Sequence, residues 1–159
     1  MTITYRSIGV IHSPFDKVEG MPIQSVGAKG VRGTIEIDKE FKDGLKDLDG
    51  FSHIILIYSF HKSEGFELKV KPFLSGNKHG VFSTRAPKRP NAIGISVVKL
   101  IRIKENILEI ENIDIIDGTP LLDIKPYIPE FDVHKADKTG WLENKKLNIT
   151  EVRSDNRFK

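Results

Sequence analysis

The stretch Ile95-Ser96-Val97-Val98-Lys99-Leu100-Ile101-Arg102-Ile103, its turn Lys104-Glu105-Asn106 and the return Ile107-Leu108-Glu109-Ile110-Glu111-Asn112-Ile113 decide the fold class. β-Branched residues fill both arms, apolar and polar positions alternate along most of their length, and three polar residues suit a tight reversal. The pattern predicts a β-hairpin. Outward from it, Val31-Arg32-Gly33-Thr34-Ile35-Glu36-Ile37 reads as a half-buried strand, with Val31, Thr34 or Ile35, and Ile37 competing for the inner face. His53-Ile54-Ile55-Leu56-Ile57-Tyr58-Ser59-Phe60 is apolar on both faces and predicts a central strand covered on both sides. Leu147-Asn148-Ile149-Thr150-Glu151-Val152 is expected to close the sheet. Helical spacing is confined to Phe41–Leu48, which Gly44 limits to about two turns. Many short strands punctuated by Gly and Pro predict a mainly β fold, a single β-barrel-like domain with few short helices. The domain is expected over residues 1–145, with a closing strand and a polar, frayed tail over 146–159.

With 159 residues, a chain of this length buries roughly 70% of its unfolded surface in one domain. Hydrophobic residues make up 38% and charged residues 30%, as in soluble globular proteins, and the net charge of +3 allows a nucleic-acid partner without requiring one. There is no cysteine, which excludes disulfides, thiolate zinc sites and a Cys nucleophile. The five histidines show no metal-ligand spacing, so no metal is expected. The N-terminus lacks the pattern of a signal peptide, and no apolar run approaches the roughly 20 residues needed to cross a bilayer. A cytoplasmic protein with no membrane partner is expected. Neither Gly-x-Gly-x-x-Gly after a strand nor a Walker-type Gly-x-x-x-x-Gly-Lys-Ser/Thr occurs, which argues against Rossmann and P-loop sites.

Three loop clusters and one strand end are candidates to carry chemistry. Phe82-Ser83-Thr84-Arg85-Ala86-Pro87-Lys88-Arg89-Pro90-Asn91-Ala92-Ile93-Gly94 places three cations, two prolines and an Asn between strands. Each proline fixes its own φ and extends the residue before it, so the cations form a defined array at low entropic cost. Such an array suits an anionic ligand; the plainer alternative is a rigid solvated turn. Asp117-Gly118-Thr119-Pro120, within the loop cluster Asp114–Tyr127, is a turn whose exposed backbone groups suit a nucleobase edge. Met21-Pro22-Ile23-Gln24 is a short extended piece whose Gln24 amide both donates and accepts. Phe60-His61-Lys62 ends the most apolar strand, either as a binding rim or as its polar stop.

These clusters match one family in order and spacing. With Ile8-Gly9-Val10-Ile11-His12-Ser13-Pro14-Phe15, Leu48-Asp49-Gly50-Phe51-Ser52-His53-Ile54, the Thr84–Gly94 loop, and Asp117–Pro120 running into Leu122-Asp123-Ile124-Lys125-Pro126-Tyr127, the sequence resembles the TrmO (TsaA-like, YaeB) family. These are S-adenosylmethionine-dependent tRNA methyltransferases, and the resemblance covers about residues 5–141. It implies a β-barrel methyltransferase, often a homodimer, that binds S-adenosyl-L-methionine without a Rossmann sheet. The implied reaction is methylation of N6 of threonylcarbamoyladenosine at position 37 of tRNA. The implied cofactor residues are Pro22, Ile23, Gln24, His61, Lys62, Arg85, Ile95, Asp117, Gly118, Thr119 and Pro120. Three features depart from the family pattern: Ile23 replaces a common Arg, Ala92 a common Pro, and the chain ends about where the bacterial members' C-terminal region begins.

Because a sulfonium makes its own methyl electrophilic, the protein must chiefly position the nucleophile. The N6 lone pair is conjugated with the purine, so a base and a nearby cation would assist. Arg85 and Asp117 are the expected catalytic residues, Asp117 standing between a base and a ribose ligand. Lys88, Arg89 and Asn91 are expected at the RNA, with Arg89 also suited to a carboxylate or phosphate. Phe73, Phe82 and Tyr127 are available to stack on a splayed base of the anticodon loop. The alternatives are a methyltransferase acting on another small-molecule or RNA substrate, and a non-catalytic S-adenosylmethionine- or RNA-binding module.

Overall fold

The computed structural model describes residues 1–143 and 150–158. Among the described residues eight strands form: β1 (Gly9–His12), β2 (Arg32–Ile37), β3 (His53–Ser59), β4 (Lys69–Val70), β5 (His79–Gly80), β6 (Ile93–Lys104), β7 (Ile107–Glu111) and β8 (Thr119–Pro126). Six close into an antiparallel barrel in the order β1-β2-β7-β6-β3-β8, and β4 and β5 pair separately. Closure leaves none of the six with an unpaired edge.

The β6–β7 hairpin forms as its alternation predicts. Lys104 pairs with Ile107, and Glu105 takes a left-handed φ of 56° at the turn. The register shifts between Leu100 and Arg102, a bulge that swings the outer half of β6. Inside, Ile11, Ile35, Ile37, Ile54, Leu56, Val98, Leu108, Ile110 and Leu121 are buried together. Each lies at an alternate position of its strand, as a pleat with one covered face requires.

Several expectations are corrected. β3 buries Ile54, Leu56 and Tyr58 but leaves Ile55 and Ile57 half-buried, so it is covered on its inner face and only partly on its outer one. Most of the Asp114–Tyr127 cluster is strand β8, and β8 pairing with β1 is what completes the barrel. Of the expected closing strand, residues 147–149 lie outside the described residues and 150–152 form no strand. The Phe41–Leu48 segment is divided between short 3-10 turns at Lys39–Leu45 and Leu48–Gly50.

The tail is not frayed. Arg153 bridges to Pro22, the Ser154 amide donates to the Met21 carbonyl (2.8 Å), and the Gly20 amide donates to the Ser154 carbonyl (2.8 Å). Phe158 is buried with Val70, Val81 and Ala86, its ring edge-on to Phe73 at 5.2 Å. A single aromatic anchor outweighs the polar composition of the segment, because burying one ring is worth about 1.5–3 kcal/mol.

Candidate active site

Antiparallel order brings the C-terminal end of β3 and the N-terminal ends of β6 and β8 to one end of the barrel. There Met21–Gln24, Phe60–Ser63, Arg85, Asp114–Ile116 and Thr119 line a cleft of about 150 Å³, with Ser154 and Phe158 of the tail in its wall. A neighbouring cleft of about 560 Å³ shares Ile23, Gln24, Arg85 and Phe158, and is bounded beyond them by Phe82 and Trp141.

Of the residues expected to bind a cofactor, Pro22, Ile23, Gln24, His61, Lys62, Arg85 and Thr119 meet in the first cleft. Arg85 is exposed, and its Nη1 donates to Gln24 Oε1 at 2.7 Å, tying the basic loop to the Pro22–Gln24 segment. Thr119 is buried, and its hydroxyl donates to the Ile116 carbonyl (2.7 Å). That leaves the Thr119 oxygen to accept from His61 Nδ1 at 3.3 Å, so the imidazole carries its proton on Nδ1 and keeps a lone pair on Nε2. Partial burial and the neighbouring Lys62 charge lower the His61 pKa, which favours this neutral form.

Other expected residues fall elsewhere. Ile95 is 53% exposed on the outer face of β6. Asp117 is exposed outside the cleft, where it accepts the Ser13 amide (3.1 Å) and pairs with His12 (3.2 Å). The Ser13 hydrogen bond, then His12, holds its carboxyl below the usual carboxylate range. Gly118 has φ 74°, so the Asp-Gly turn forms as expected, and Pro120 pairs with Val10 in the β8–β1 ladder.

The basic loop spends part of its charge on itself. Arg89 Nη1 donates to the carbonyls of Thr84 and Ala86, each at 3.1 Å, so this cation pins the loop that carries Arg85. Lys88 is largely covered and lies 4.0 Å from Glu67, while Asn91 is exposed. Phe82 is 75% exposed at the second cleft; Phe73 packs on Phe158, and Tyr127 meets His53 edge-on.

The sequence reading passed over a polar chain in the floor of the first cleft. Ser96 Oγ donates to Asp114 Oδ1 at 2.7 Å and lies 3.1 Å from the Tyr58 hydroxyl, which therefore donates to Ser96. Burial pushes the Asp114 carboxyl up to about 6, against the opposing pull of the Ser96 hydrogen bond and the Arg85 charge. Burial, with the Asp114 charge adding, raises the Tyr58 phenol above its ordinary range. A Ser at an inward position of β6, amid Val and Leu, was the available signal: a hydroxyl facing a barrel interior needs a partner.

A closed antiparallel barrel with two adjoining loop-walled clefts at one end belongs to the barrel-type binding proteins and enzymes that use no Rossmann sheet. Residues 10–133 match the family described as the tRNA-methyltransferase O N-terminal domain, and the chain belongs to that family. A probable S-adenosyl-L-methionine-binding protein of Pyrococcus abyssi is 55% identical, over 99% of this chain and 86% of its own. The human tRNA (adenine(37)-N6)-methyltransferase is 40% identical over 79% of this chain but only 30% of its own. The crystal structure of TrmO from Pseudomonas aeruginosa superposes with a TM-score of 0.74 at 37% identity, over 89% of this chain and 63% of that one. This chain therefore spans less than two thirds of the Pseudomonas protein and under a third of the human one.

The cleft chemistry fits S-adenosyl-L-methionine. Ser63 Oγ is buried in its wall without a hydrogen-bond partner among the described residues, which suits a ligand hydroxyl. Arg85 and Gln24 suit a carboxylate, Phe60, Ile115 and Ile116 offer apolar surface to a base, and the Asp114 carboxylate favours a cation nearby.

Proposed function

We propose that this chain is an S-adenosyl-L-methionine-dependent methyltransferase acting on the exocyclic N6 of adenine 37 in tRNA, with threonylcarbamoyladenosine as the form accepted. The observation that carries the reading is the convergence of Pro22–Gln24, His61, Lys62, Arg85 and Thr119 on one cleft, in a chain of this family. The cofactor supplies an electrophilic methyl group. Arg85 and Gln24 hold its carboxylate end, Ser63 takes a sugar hydroxyl, and the apolar wall excludes water from the reacting centre. The tail, through Ser154 and Phe158, keeps the Met21–Gln24 side of the cleft in place. The second cleft, with Phe82 and Trp141 at its border, offers a splayed base a stacking surface next to the cofactor. The active form is a cytoplasmic homodimer.

The test is methyl transfer from labelled cofactor to two tRNAs, one threonylcarbamoylated at position 37 and one unmodified, with nucleoside mass spectrometry to locate the label. Label on N6 of the modified tRNA alone is the expected result. Equal labelling of both would leave a tRNA methyltransferase without the threonylcarbamoyl requirement. Cofactor binding with no labelled tRNA would favour the second reading, a binding module, which the name of the Pyrococcus relative suggests.

A further inference from the structure

We propose that Asp114 is the catalytic base, its carboxylate in the cleft floor taking the N6 proton of the substrate adenine as that nitrogen attacks the methyl group. The inference rests on the proposed function. In the step, the N6–C bond forms while the C–S bond breaks and its electron pair leaves on sulfur. The N6 proton passes to the Asp114 carboxylate, which returns it to solvent after product release. A base is needed because the N6 lone pair is delocalised into the purine; attack without proton loss would place positive charge on that nitrogen.

Three observations point to Asp114. First, it lines the cleft in which the cofactor residues converge, whereas Asp117 lies outside it, bound to His12 and Ser13. Second, its orientation is set: the Tyr58 hydroxyl donates to Ser96, and Ser96 donates to Asp114 Oδ1, so every proton in the chain is aimed at the carboxylate. This holds the carboxylate as an acceptor and gives the Ser–Tyr pair a positioning role. Third, no Lys or Arg among the described residues forms an ion pair with it, so only the unpaired charge of Arg85 acts against its basicity, and burial outweighs that.

The titratable and charged groups facing it are Tyr58 from β3, Arg85 from the basic loop, and His61 and Lys62 at the end of β3. Burial puts its carboxyl at about 6. At neutral pH the group is therefore ionised, yet more basic than a surface aspartate. His61 Nε2 is the competing acceptor, but it belongs to an exposed residue at the rim.

The experiment compares wild type, Asp114→Asn, Ser96→Ala and His61→Asn in single-turnover methyl transfer across pH 5–9, with two readouts free of activity. These are cofactor affinity by calorimetry and the Asp114 carboxyl carbon shift by NMR against pH. Expected results are a rate for Asp114→Asn lowered by about 10²-fold or more at pH 7, with cofactor affinity changed by less than about tenfold. The wild-type acidic limb should vanish in the residual activity of Asp114→Asn. In Ser96→Ala it should move to higher pH, because a hydrogen bond that favours the charged form is gone. The Asp114 carbon should titrate well above the surface aspartates. Full activity in Asp114→Asn, or loss of the acidic limb only in His61→Asn, overturns the proposal. Loss of cofactor binding in step with rate also overturns it, making Asp114 a cofactor ligand. A wild type that binds cofactor and methylates no tRNA overturns the proposed function itself, an outcome distinct from an active Asp114→Asn.

Discussion

Gly94 lies directly opposite Tyr58 in the β3–β6 ladder, and the Tyr58 ring lies across it: a Cβ there would sit 2.3 Å from Tyr58 Cε2 and 2.5 Å from Cζ. The glycine thus lets the ring lie against the strand, which sets the hydroxyl beside Ser96 and, through it, Asp114. Gly94→Ala is expected to cost about 1–3 kcal/mol in urea unfolding, as overpacking does. Its methyl-transfer rate should fall further than that loss of folded protein explains. Normal turnover in folded Gly94→Ala would detach the Tyr58 position from function. Arg85 poses the converse case, an exposed side chain tied among the described residues by a hydrogen bond to Gln24. Arg85→Ala should leave the unfolding midpoint within about 0.5 kcal/mol of wild type, while cofactor affinity falls at least about tenfold. Wild-type affinity in a calorimetric titration would remove Arg85 from the cofactor site.

Two irregular elements determine the shape of the cleft. In the basic loop, Arg89 bonds to the carbonyls of Thr84 and Ala86, and Pro87 and Pro90 restrict the backbone around it, so Arg85 is presented from a fixed frame. The tail acts on the opposite wall, where Ser154 ties Gly20 and Met21 and Phe158 anchors the segment beside Phe73. Arg157 adds a guanidinium 4.7 Å from the Phe73 ring centre and a bidentate pair with Asp155, Nε donating to Oδ1 and Nη2 to Oδ2. Phe158→Ala should release the segment. Amide exchange at Gly20 and Ser154 is expected to quicken by about tenfold or more, with weaker cofactor binding in parallel. Protection unchanged at both amides would show that the backbone bonds hold without the aromatic anchor.

For the whole molecule, the raised Asp114 pKa is a stability statement. Its carboxyl titrates near 6 in the folded protein against an ordinary 3.8, so the native state holds the proton more tightly than the unfolded chain. The contribution is fully present below about pH 3.8 and is lost as pH rises through 6. At neutral pH, burying the charged form costs on the order of 3 kcal/mol, a figure that follows from about 1.4 kcal/mol per pKa unit. Asp114→Asn is therefore expected to match or exceed wild-type stability at pH 8, with the advantage shrinking towards pH 4. Urea unfolding at the two pH values measures it, and a variant less stable at pH 8 than at pH 4, relative to wild type, would contradict the buried-charge account. Destabilisation at a neutral-pH carboxylate is the usual accompaniment of a site kept for chemistry.

The sequence by itself determined the β character and much of the site's inventory. Alternation is local and survives without knowledge of partners, so β2, β6 and β7 were legible, β3 was legible as an apolar run though not in its one-sided burial, and so were the Pro-framed Arg85 loop and the Asp117-Gly118 turn. Long motifs also carried the family. The tertiary structure alone decided how the barrel closes, because β1 has only four residues and β8 was masked by the turn chemistry that opens it. It decided the fate of the tail, where the burial of one phenylalanine depends on a hollow between Val70, Val81 and Ala86 that no local pattern announces. It also placed the two carboxylates apart. Asp114 and Asp117 are three residues apart in one motif, but one is folded beneath the cleft against Ser96 and the other turned out towards His12. Which of two nearby acids meets a ligand depends on strand register and on the desolvation that register imposes, and both are properties of contacts between segments distant along the chain.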